Sequence, residues 1–177
     1  MSAEPHPACL PVDVLLRGCD AERFRASGPG GQRRNKVETG VRLTHRDTGV
    51  CVQATERRSQ AENHRVAVFR LRVNLAIAVR GAAGDVGPSE LWKGRVRRSR
   101  QGPATAGRLE VNPSHDDFPA LLAEALDGLA EHDDDPGAAA AVLGVSVSQL
   151  VKLLRHEPRA LAAVNARREA AGRPKLR

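Results

Sequence analysis

The sequence predicts an α+β protein in which a small mixed α/β domain is followed by a small all-α C-terminal module. Two observations predict the first part: an alternating apolar pattern typical of a β-hairpin, and a long helical pattern after it. A third observation predicts the second part, since apolar residues beyond residue 117 recur at helical spacing between short turns. The predicted divisions are an α/β domain at 1–80, a basic linker at 81–113, a helical module at 114–170 and a basic tail at 171–177.

The hairpin prediction rests on Val41 and Leu43, which alternate with polar residues, and on a second alternating run at 50–54. Between the two runs, residues 46–49 read Arg-Asp-Thr-Gly, which favours a turn. A short helix at 13–17 and a strand at 22–26 are predicted before the hairpin.

The long helix is predicted to begin at Ser59, because Ser59-Gln60-Ala61-Glu62 has the Ser-x-x-Glu pattern of a capping box. Its apolar stripe follows at helical spacing and consists of Val68, Leu71, Leu75 and Val79.

Composition limits the possible partners. The 177 residues include 28 Lys plus Arg and 21 Asp plus Glu, giving a net charge of +7, which indicates an anionic partner such as nucleic acid or a membrane surface. No apolar run is long enough to span a bilayer, so we expect no membrane insertion. Three Phe, one Trp and no Tyr argue against a fold that stacks bases on an aromatic platform. Three scattered cysteines predict no disulfide framework and no metal site, and fit the reducing cytoplasm.

A glycine-rich loop follows the predicted strand at 22–26. It contains Gly30, Gly31 and Gln32, flanked by the cations Arg33, Arg34 and Lys36. The loop matches neither glycine fingerprint of nucleotide-binding proteins, and no nucleophile lies beside a base in it. Consecutive glycines let the backbone approach a partner closely. Taken alone, the loop is either a structural turn or a site that acts through its backbone.

A row of arginines accompanies the long helix. Arg58, Arg65 and Arg72 recur every seven residues, which places them about two turns apart on one helix side. Such a row either follows a phosphate backbone or forms a solvated basic face.

Further motifs around the loop carry a family resemblance. Five segments together resemble the catalytic domain of class I peptide chain release factors. They are Phe24-Arg25-Ala26-Ser27-Gly28-Pro29-Gly30-Gly31-Gln32, Asn35-Lys36, Val41 to His45, Thr48-Gly49-Val50, and Arg58-Ser59-Gln60 with Asn63. The resemblance covers roughly residues 21 to 77. It implies a compact release-factor-type α/β domain whose Gly-Gly-Gln loop enters the peptidyl transferase centre of the ribosome. There the loop promotes hydrolysis of the ester that joins peptide to tRNA.

The resemblance also implies roles for residues. Gly30, Gly31 and Gln32 would be catalytic, with the backbone N–H of Gln32 stabilising the developing oxyanion or leaving oxygen. The partners would be large-subunit ribosomal RNA and peptidyl-tRNA, with no cofactor and no metal, and we expect a cytoplasmic monomer. His45 matches a family Thr-His position that is not the reacting group. Apart from the resemblance, charge placement predicts RNA contacts beside the loop, in the arginine row and in the linker, where a solvated linker fits equally well. The cations concerned are Arg33, Arg34, Lys36, Arg58, Arg65, Arg72, Lys93, Arg95, Arg97 and Arg98.

Two departures from the decoding release factors favour a codon-independent branch that frees peptides from stalled ribosomes. Arg33-Arg34 stands where decoding factors usually have His-Val, and only about 20 residues precede the domain, too few to read a codon. These features predict ribosome rescue rather than stop-codon termination.

The predicted helical module leaves alternatives open. A helix-turn-helix outline is predicted from a helix at 138–143, the turn Gly144-Val145-Ser146 and a helix at 148–154. A last helix is predicted to begin at Pro158. A small bundle without nucleic-acid contact fits equally well. A non-catalytic ribosome- or RNA-binding protein and a helix-turn-helix DNA-binding regulator are therefore the alternative functions.

Overall fold

The computed structural model describes residues 5–25, 38–81, 87–97 and 107–177, and it confirms the predicted α+β fold. A short 3-10 helix at Pro7–Cys9 and helix α1 at Val12–Arg17 come first. Helix α1 agrees with the helix predicted at 13–17.

Three antiparallel strands form the sheet in the order β1-β2-β3: β1 at Cys19–Phe24, β2 at Gly40–His45 and β3 at Cys51–Ala54. Strands β2 and β3 are the predicted hairpin, and Gly49 takes a φ of 69° in its turn, a conformation that favours glycine. Strand β1 begins three residues earlier than predicted. Most of its side chains are exposed, and it pairs on one side only, so charged residues are tolerated along it.

Helix α2 spans Gln60–Ala78 and lies at the centre of the molecule. The Ser59 hydroxyl accepts a hydrogen bond from the amide of Glu62 at 3.4 Å, as the capping pattern predicts. Leu71 and Leu75 are fully buried, whereas Val79 follows the helix as its C-cap. The helix packs against β2, β3, the 3-10 helix and the first helix of the C-terminal part.

That C-terminal part contains four helices: α4 at Phe118–Glu131, α5 at Pro136–Val142, α6 at Val147–Arg155 and α7 at Pro158–Ala170. Gly144, with a φ of 66°, makes the tight turn between α5 and α6, as the helix-turn-helix outline predicts. Ser146 caps α6 through a hydrogen bond from the amide of Gln149 at 3.3 Å.

The segment predicted as a basic linker contains structure of its own. It includes α3 at Glu90–Arg95 and a two-stranded sheet of β4 at Val96–Arg97 and β5 at Arg108–Leu109. Trp92 in α3 is fully buried, and its indole N–H donates to the carbonyl of Leu143 at 2.8 Å. The described part of this segment is thus packed onto the helical module.

The acidic turn between α4 and α5 is compensated by arginines of α7. Asp133 and Asp134 adopt φ angles of 53° and 57°, which are unfavourable for residues other than glycine. The carboxylate of Asp134 accepts hydrogen bonds from Nε and Nη2 of Arg167, both at 2.7 Å. The charge-assisted pair offsets the backbone strain and raises the pKa of Arg167.

The predicted basic tail folds back onto α7. The amide of Leu176 donates to Oδ1 of Asn165 at 2.7 Å, and Nε of Arg168 donates to the carbonyl of Pro174 at 2.9 Å. The last residues therefore belong to the folded structure.

One contiguous apolar core runs through these elements, from Ala8 and the sheet to Val164 of α7. At the surface, a long-range hydrogen bond from Arg159 of α7 to Oδ1 of Asn74, at 2.9 Å, connects the last helix with α2. Within the described ranges, no helix combines the length and the apolar character that a membrane crossing requires.

This single core predicts one cooperative unfolding transition. Trp92 is the only tryptophan, and it lies where the linker segment meets α5. Its fluorescence therefore reports on the C-terminal half, whereas far-UV circular dichroism reports on all helices. We expect urea unfolding curves from the two signals to coincide. Two separate transitions, with fluorescence following only one, would contradict a shared core.

Candidate functional site

The predicted catalytic loop joins β1 to β2. These strands pair through to Phe24 opposite Gly40, so their last residues form a two-stranded stem for the connection. Gly30, Gly31 and Gln32 fall midway along this connection, and together with Arg33, Arg34 and Lys36 they lie outside the described residues. The structure therefore defines the site through its stem and the residues that hold the stem.

The stem is closed tightly at Gly40. A Cβ atom on Gly40 would lie 2.9 Å from the carbonyl oxygen of Phe24 and 3.0 Å from its ring, so a larger residue would push the strands apart. The guanidinium of Arg42 lies 5.4 Å from the centre of the same ring, within the range of a cation–π contact. Arg25 and Glu38 form an exposed ion pair at 3.6 Å across the stem, on the loop side of that last pair.

Asn63 fixes the stem to α2. Its side chain is fully buried in the first turn of the helix, where Nδ2 donates to the carbonyls of Thr39 at 2.7 Å and Arg57 at 2.9 Å. Its Oδ1 accepts from the amide of Arg57 at 2.9 Å. One side chain thus connects the residue at which the chain leaves the loop with the segment that leads into α2.

Sequence reasoning assigned no role to Asn63 beyond its place in the family resemblance. A signal was present, because Asn63 lies four and eight residues before Ala67 and Leu71 and so shares the buried side of α2. A polar side chain on an otherwise apolar helix face needs internal hydrogen-bond partners.

The arginine row is not maintained in three dimensions. Arg58 precedes the helix and is exposed, and Arg65 is exposed on the first half of α2. Arg72 is only 9% exposed: its Nε donates to the carbonyl of Ala8 at 3.0 Å and its Nη1 to that of Asp116 at 2.8 Å. Burial lowers the pKa of Arg72. The expectation that Arg72 contacts RNA is therefore corrected: the 3-10 helix and the segment before α4 cover this part of α2.

Three described cations of the linker segment, the exposed Lys93 and Arg97 and the half-buried Arg95, are paired with carboxylates. Nζ of Lys93 lies 2.8 Å from Glu90, and Nε of Arg97 lies 3.2 Å from Glu110. Arg95 pairs with Asp117. Surface ion pairs are weak, so these cations can exchange a carboxylate for a phosphate. Arg98 lies outside the described residues.

No activated nucleophile is found among the cysteines and histidine that sequence analysis considered. His45 is buried and hydrogen-bonds through Nδ1 to the hydroxyl of Thr48 at 2.9 Å, where it stabilises the hairpin turn. Desolvation raises the pKa of the Cys9 thiol to about 11 and also raises that of Cys19. In the described ranges no group of His, Cys, Asp and Glu is arranged to hold a metal ion.

Comparisons with known proteins agree with the motif. The family model described as RF-1 domain matches residues 12–96, which include the sheet, the loop, α2 and α3. The RF-1 segment of this chain belongs to the class I release-factor-like family. The match extends beyond residue 80, where sequence analysis placed the end of the α/β domain.

Relatives of the RF-1 domain include release factors of bacteria and of a plastid. Peptide chain release factor PrfB1, chloroplastic, from Arabidopsis thaliana is 55% identical over 66 residues, covering 37% of this chain and 14% of the relative. Peptide chain release factor 1 of Acidiphilium cryptum is 37% identical over 150 residues, covering 76% of this chain and 42% of the relative. Peptide chain release factor 2 of Variovorax paradoxus is 54% identical over 66 residues, covering 36% of this chain and 18% of the relative. The chain thus spans less than half the length of these relatives.

The contacts of Asn63 predict a measurable stability effect. Asn63→Ala leaves the carbonyl of Thr39 and both backbone groups of Arg57 without their partners. We expect the free energy of unfolding to fall by about 2–4 kcal/mol in urea denaturation, because buried polar groups lose their hydrogen bonds. Arg65→Gln, two residues later and exposed, is the control and should change it by less than about 0.5 kcal/mol. Equal stability of the two variants would show that the side-chain hydrogen bonds of Asn63 do not stabilise the protein.

Proposed function

We propose that this protein hydrolyses the ester bond of peptidyl-tRNA on stalled ribosomes and releases the nascent peptide without reading a stop codon. The observation that carries the proposal is the Gly30-Gly31-Gln32 sequence inside a segment that matches the RF-1 domain. The contacts of Gly40 and Asn63 that fix the stem also support the proposal, since a loop that acts through the position of its backbone needs a rigid base.

The proposed chemistry needs no nucleophilic side chain. A water molecule attacks the ester carbonyl, the acyl carbon–oxygen bond to the tRNA ribose breaks, and a proton from the water ends on the ribose oxygen. The backbone N–H of Gln32 donates to the oxygen on which negative charge develops. The Gln32 side chain narrows the pocket so that water enters in preference to larger nucleophiles. Gly30 and Gly31 allow the backbone to present that N–H, and the surrounding ribosomal RNA and the tRNA terminus supply the rest of the environment.

The length of the connection sets how far the loop can extend. Gln32 is eight residues from each of the paired stem residues Phe24 and Gly40, so chain geometry limits its distance from the stem to about 27 Å. The proposed mode of action is therefore insertion: the sheet stays outside the reaction centre while the loop reaches the ester.

Arginine and lysine side chains supply the proposed contacts with large-subunit RNA. Arg58 and Arg65 are exposed beside the stem end of α2, and Arg33, Arg34 and Lys36 lie within four residues after Gln32 in the sequence. Positive charge next to Gln32 reduces the cost of bringing the loop into an RNA-lined site. Lys93, Arg95, Arg97 and Arg98 form a further proposed contact, whereas Arg72 is left out because it is buried.

One feature favours rescue over stop-codon termination. Arg33-Arg34 replaces the His-Val pair usual after Gly-Gly-Gln in decoding factors. We propose that the protein acts as a cytoplasmic monomer and uses no cofactor.

Substitutions in the loop should separate catalysis from binding. Gln32→Ala and Gly31→Ala are expected to lower the rate of peptide release from ribosomes by roughly 100-fold or more, since small displacements at a reacting centre cost this much. Ribosome affinity should stay within about twofold. Gln53→Ala, on the exposed side of β3, is the control and should release peptide at the unmodified rate. Release by Gln32→Ala at the control's rate would exclude the catalytic assignment.

Independence from codons is tested with ribosomes that carry the same labelled peptidyl-tRNA. One population holds mRNA that ends in the P site, and the others hold mRNA that extends beyond it with a sense or a stop codon in the A site. We expect release to be fastest on the truncated mRNA and equally slow on the two extended ones. Release that requires the stop codon would support a termination factor instead.

A further inference from the structure

A groove of about 370 Å³ lies between β5 and α6, on the C-terminal part of the molecule and outside the catalytic loop and its stem. Its α6 wall presents Gln149, Lys152 and His156, which share one helix side through their spacing of three and four residues. Arg108 and Asn112 line the opposite wall. Leu109 and Leu153, both buried, form the apolar part of the lining.

Backbone hydrogen bonds hold the two walls in place. The amide of Gly107 donates to the carbonyl of Gly144 at 3.0 Å, which ties the start of β5 to the turn before α6. The amide of Glu110 donates to the carbonyl of Arg95 at 2.8 Å, which ties the other end of β5 to α3. The groove is therefore formed before any ligand arrives, so little conformational entropy is lost on binding.

The charged groups of the groove leave a positive excess. Arg108 and Lys152 are exposed, and neither has a carboxylate partner in the part of the chain that the structure covers. The carboxylate of Glu110 is engaged by Arg97, and Arg95 is engaged by Asp117. Two unpaired cations thus face the same space.

The remaining polar groups add donors. Oδ1 of Asn112 accepts from the amide of Ser114 at 3.0 Å, which leaves its NH₂ group available as a donor, and the Gln149 carboxamide adds another. Cations and N–H donors that face one open groove can bind the negatively charged oxygen atoms of phosphate groups.

The shape and lining favour a phosphate backbone over exposed bases. Among the described residues that line the groove, His156 carries the only aromatic ring, and it packs edge-on against Phe118 with ring centres 6.5 Å apart, so it offers no stacking platform. Strand β5 lies alongside the α6 face that carries Gln149 and Lys152, and this hinders the deep insertion by which a recognition helix reads the major groove of DNA. These features favour RNA contacted through its backbone.

We infer that the groove between β5 and α6 binds the phosphodiester backbone of ribosomal RNA, as a second contact distinct from the catalytic loop. The inference rests on the proposed function for the identity of the RNA. Arg108 and Lys152 each neutralise a phosphate, while Asn112 and Gln149 orient the backbone.

The test compares the full-length double variant R108Q/K152Q with the control R17Q/K175Q, which removes the same charge from two exposed ion pairs elsewhere. Binding to 70S ribosomes, to a 20-base-pair RNA duplex and to a DNA duplex of equivalent sequence is measured over a range of KCl concentrations. For ribosomes and the RNA duplex, the slope of log affinity against log salt should decrease in magnitude by about two units in R108Q/K152Q and stay unchanged in the control. Peptide release at saturating protein should be unchanged in the control R17Q/K175Q, which alters neither the loop nor the groove.

An unchanged salt slope in R108Q/K152Q on ribosomes and RNA would overturn the inference. Tighter binding to the DNA duplex than to RNA, lost in the double variant, would also overturn it and favour a DNA-binding groove. If the unmodified protein released no peptide while the RNA slope still fell by about two units, the proposed function would fail and the RNA-binding groove would stand. Normal peptide release by the unmodified protein, together with an unchanged salt slope in R108Q/K152Q, would overturn the inference about the groove and leave the proposed function intact.

Discussion

Helix α2 is covered on one side by the sheet and on another by α4, and this double burial governs the rest of the molecule. A helix in that position has few places for a polar side chain, because each buried polar group must find a partner inside the protein. Asn63 and Arg72 are the two buried polar residues of α2, and each satisfies backbone carbonyls of other segments. Asn63 joins α2 to the stem of the loop, and Arg72 joins it to the 3-10 helix and the start of α4. The two polar residues thus direct how the remaining elements assemble around the helix.

The loop and the strands and helix that hold it have different roles. The chemistry proposed for Gly30 to Gln32 uses backbone groups, whose position depends on where the strands end and how firmly they are held. Gly40 allows Phe24 to approach closely, and Asn63 holds the residue before Gly40, so the base of the loop is fixed from two sides. Substitutions at these scaffold positions are expected to alter a reaction that takes place far from them.

Much of the fold could be predicted from local signals. The hairpin, the cap at Ser59 and the helix-turn-helix outline each depend on a few neighbouring residues, and each is present. The role of Arg72 could not be predicted, because its seven-residue spacing describes α2 alone and the segments that bury it come from residues 8 and 116. Strands β4 and β5 are two residues long and give no periodic signal, so their segment was interpreted as a linker. The catalytic assignment came from the Gly-Gly-Gln motif and its flanking residues, while the positioning of the stem by Asn63 emerged from the hydrogen bonds.

The contacts that close the core also determine when it can form during synthesis. Trp92 meets Leu143 across 51 residues, and α2 packs against α4, which is complete only at Glu131. At typical translation rates, α2 is complete roughly 3 to 11 s before Glu131, the last residue of α4, is added. For that interval the side of α2 that packs on α4 lacks its full cover on the nascent chain, and association with chaperones or neighbouring nascent chains competes with folding.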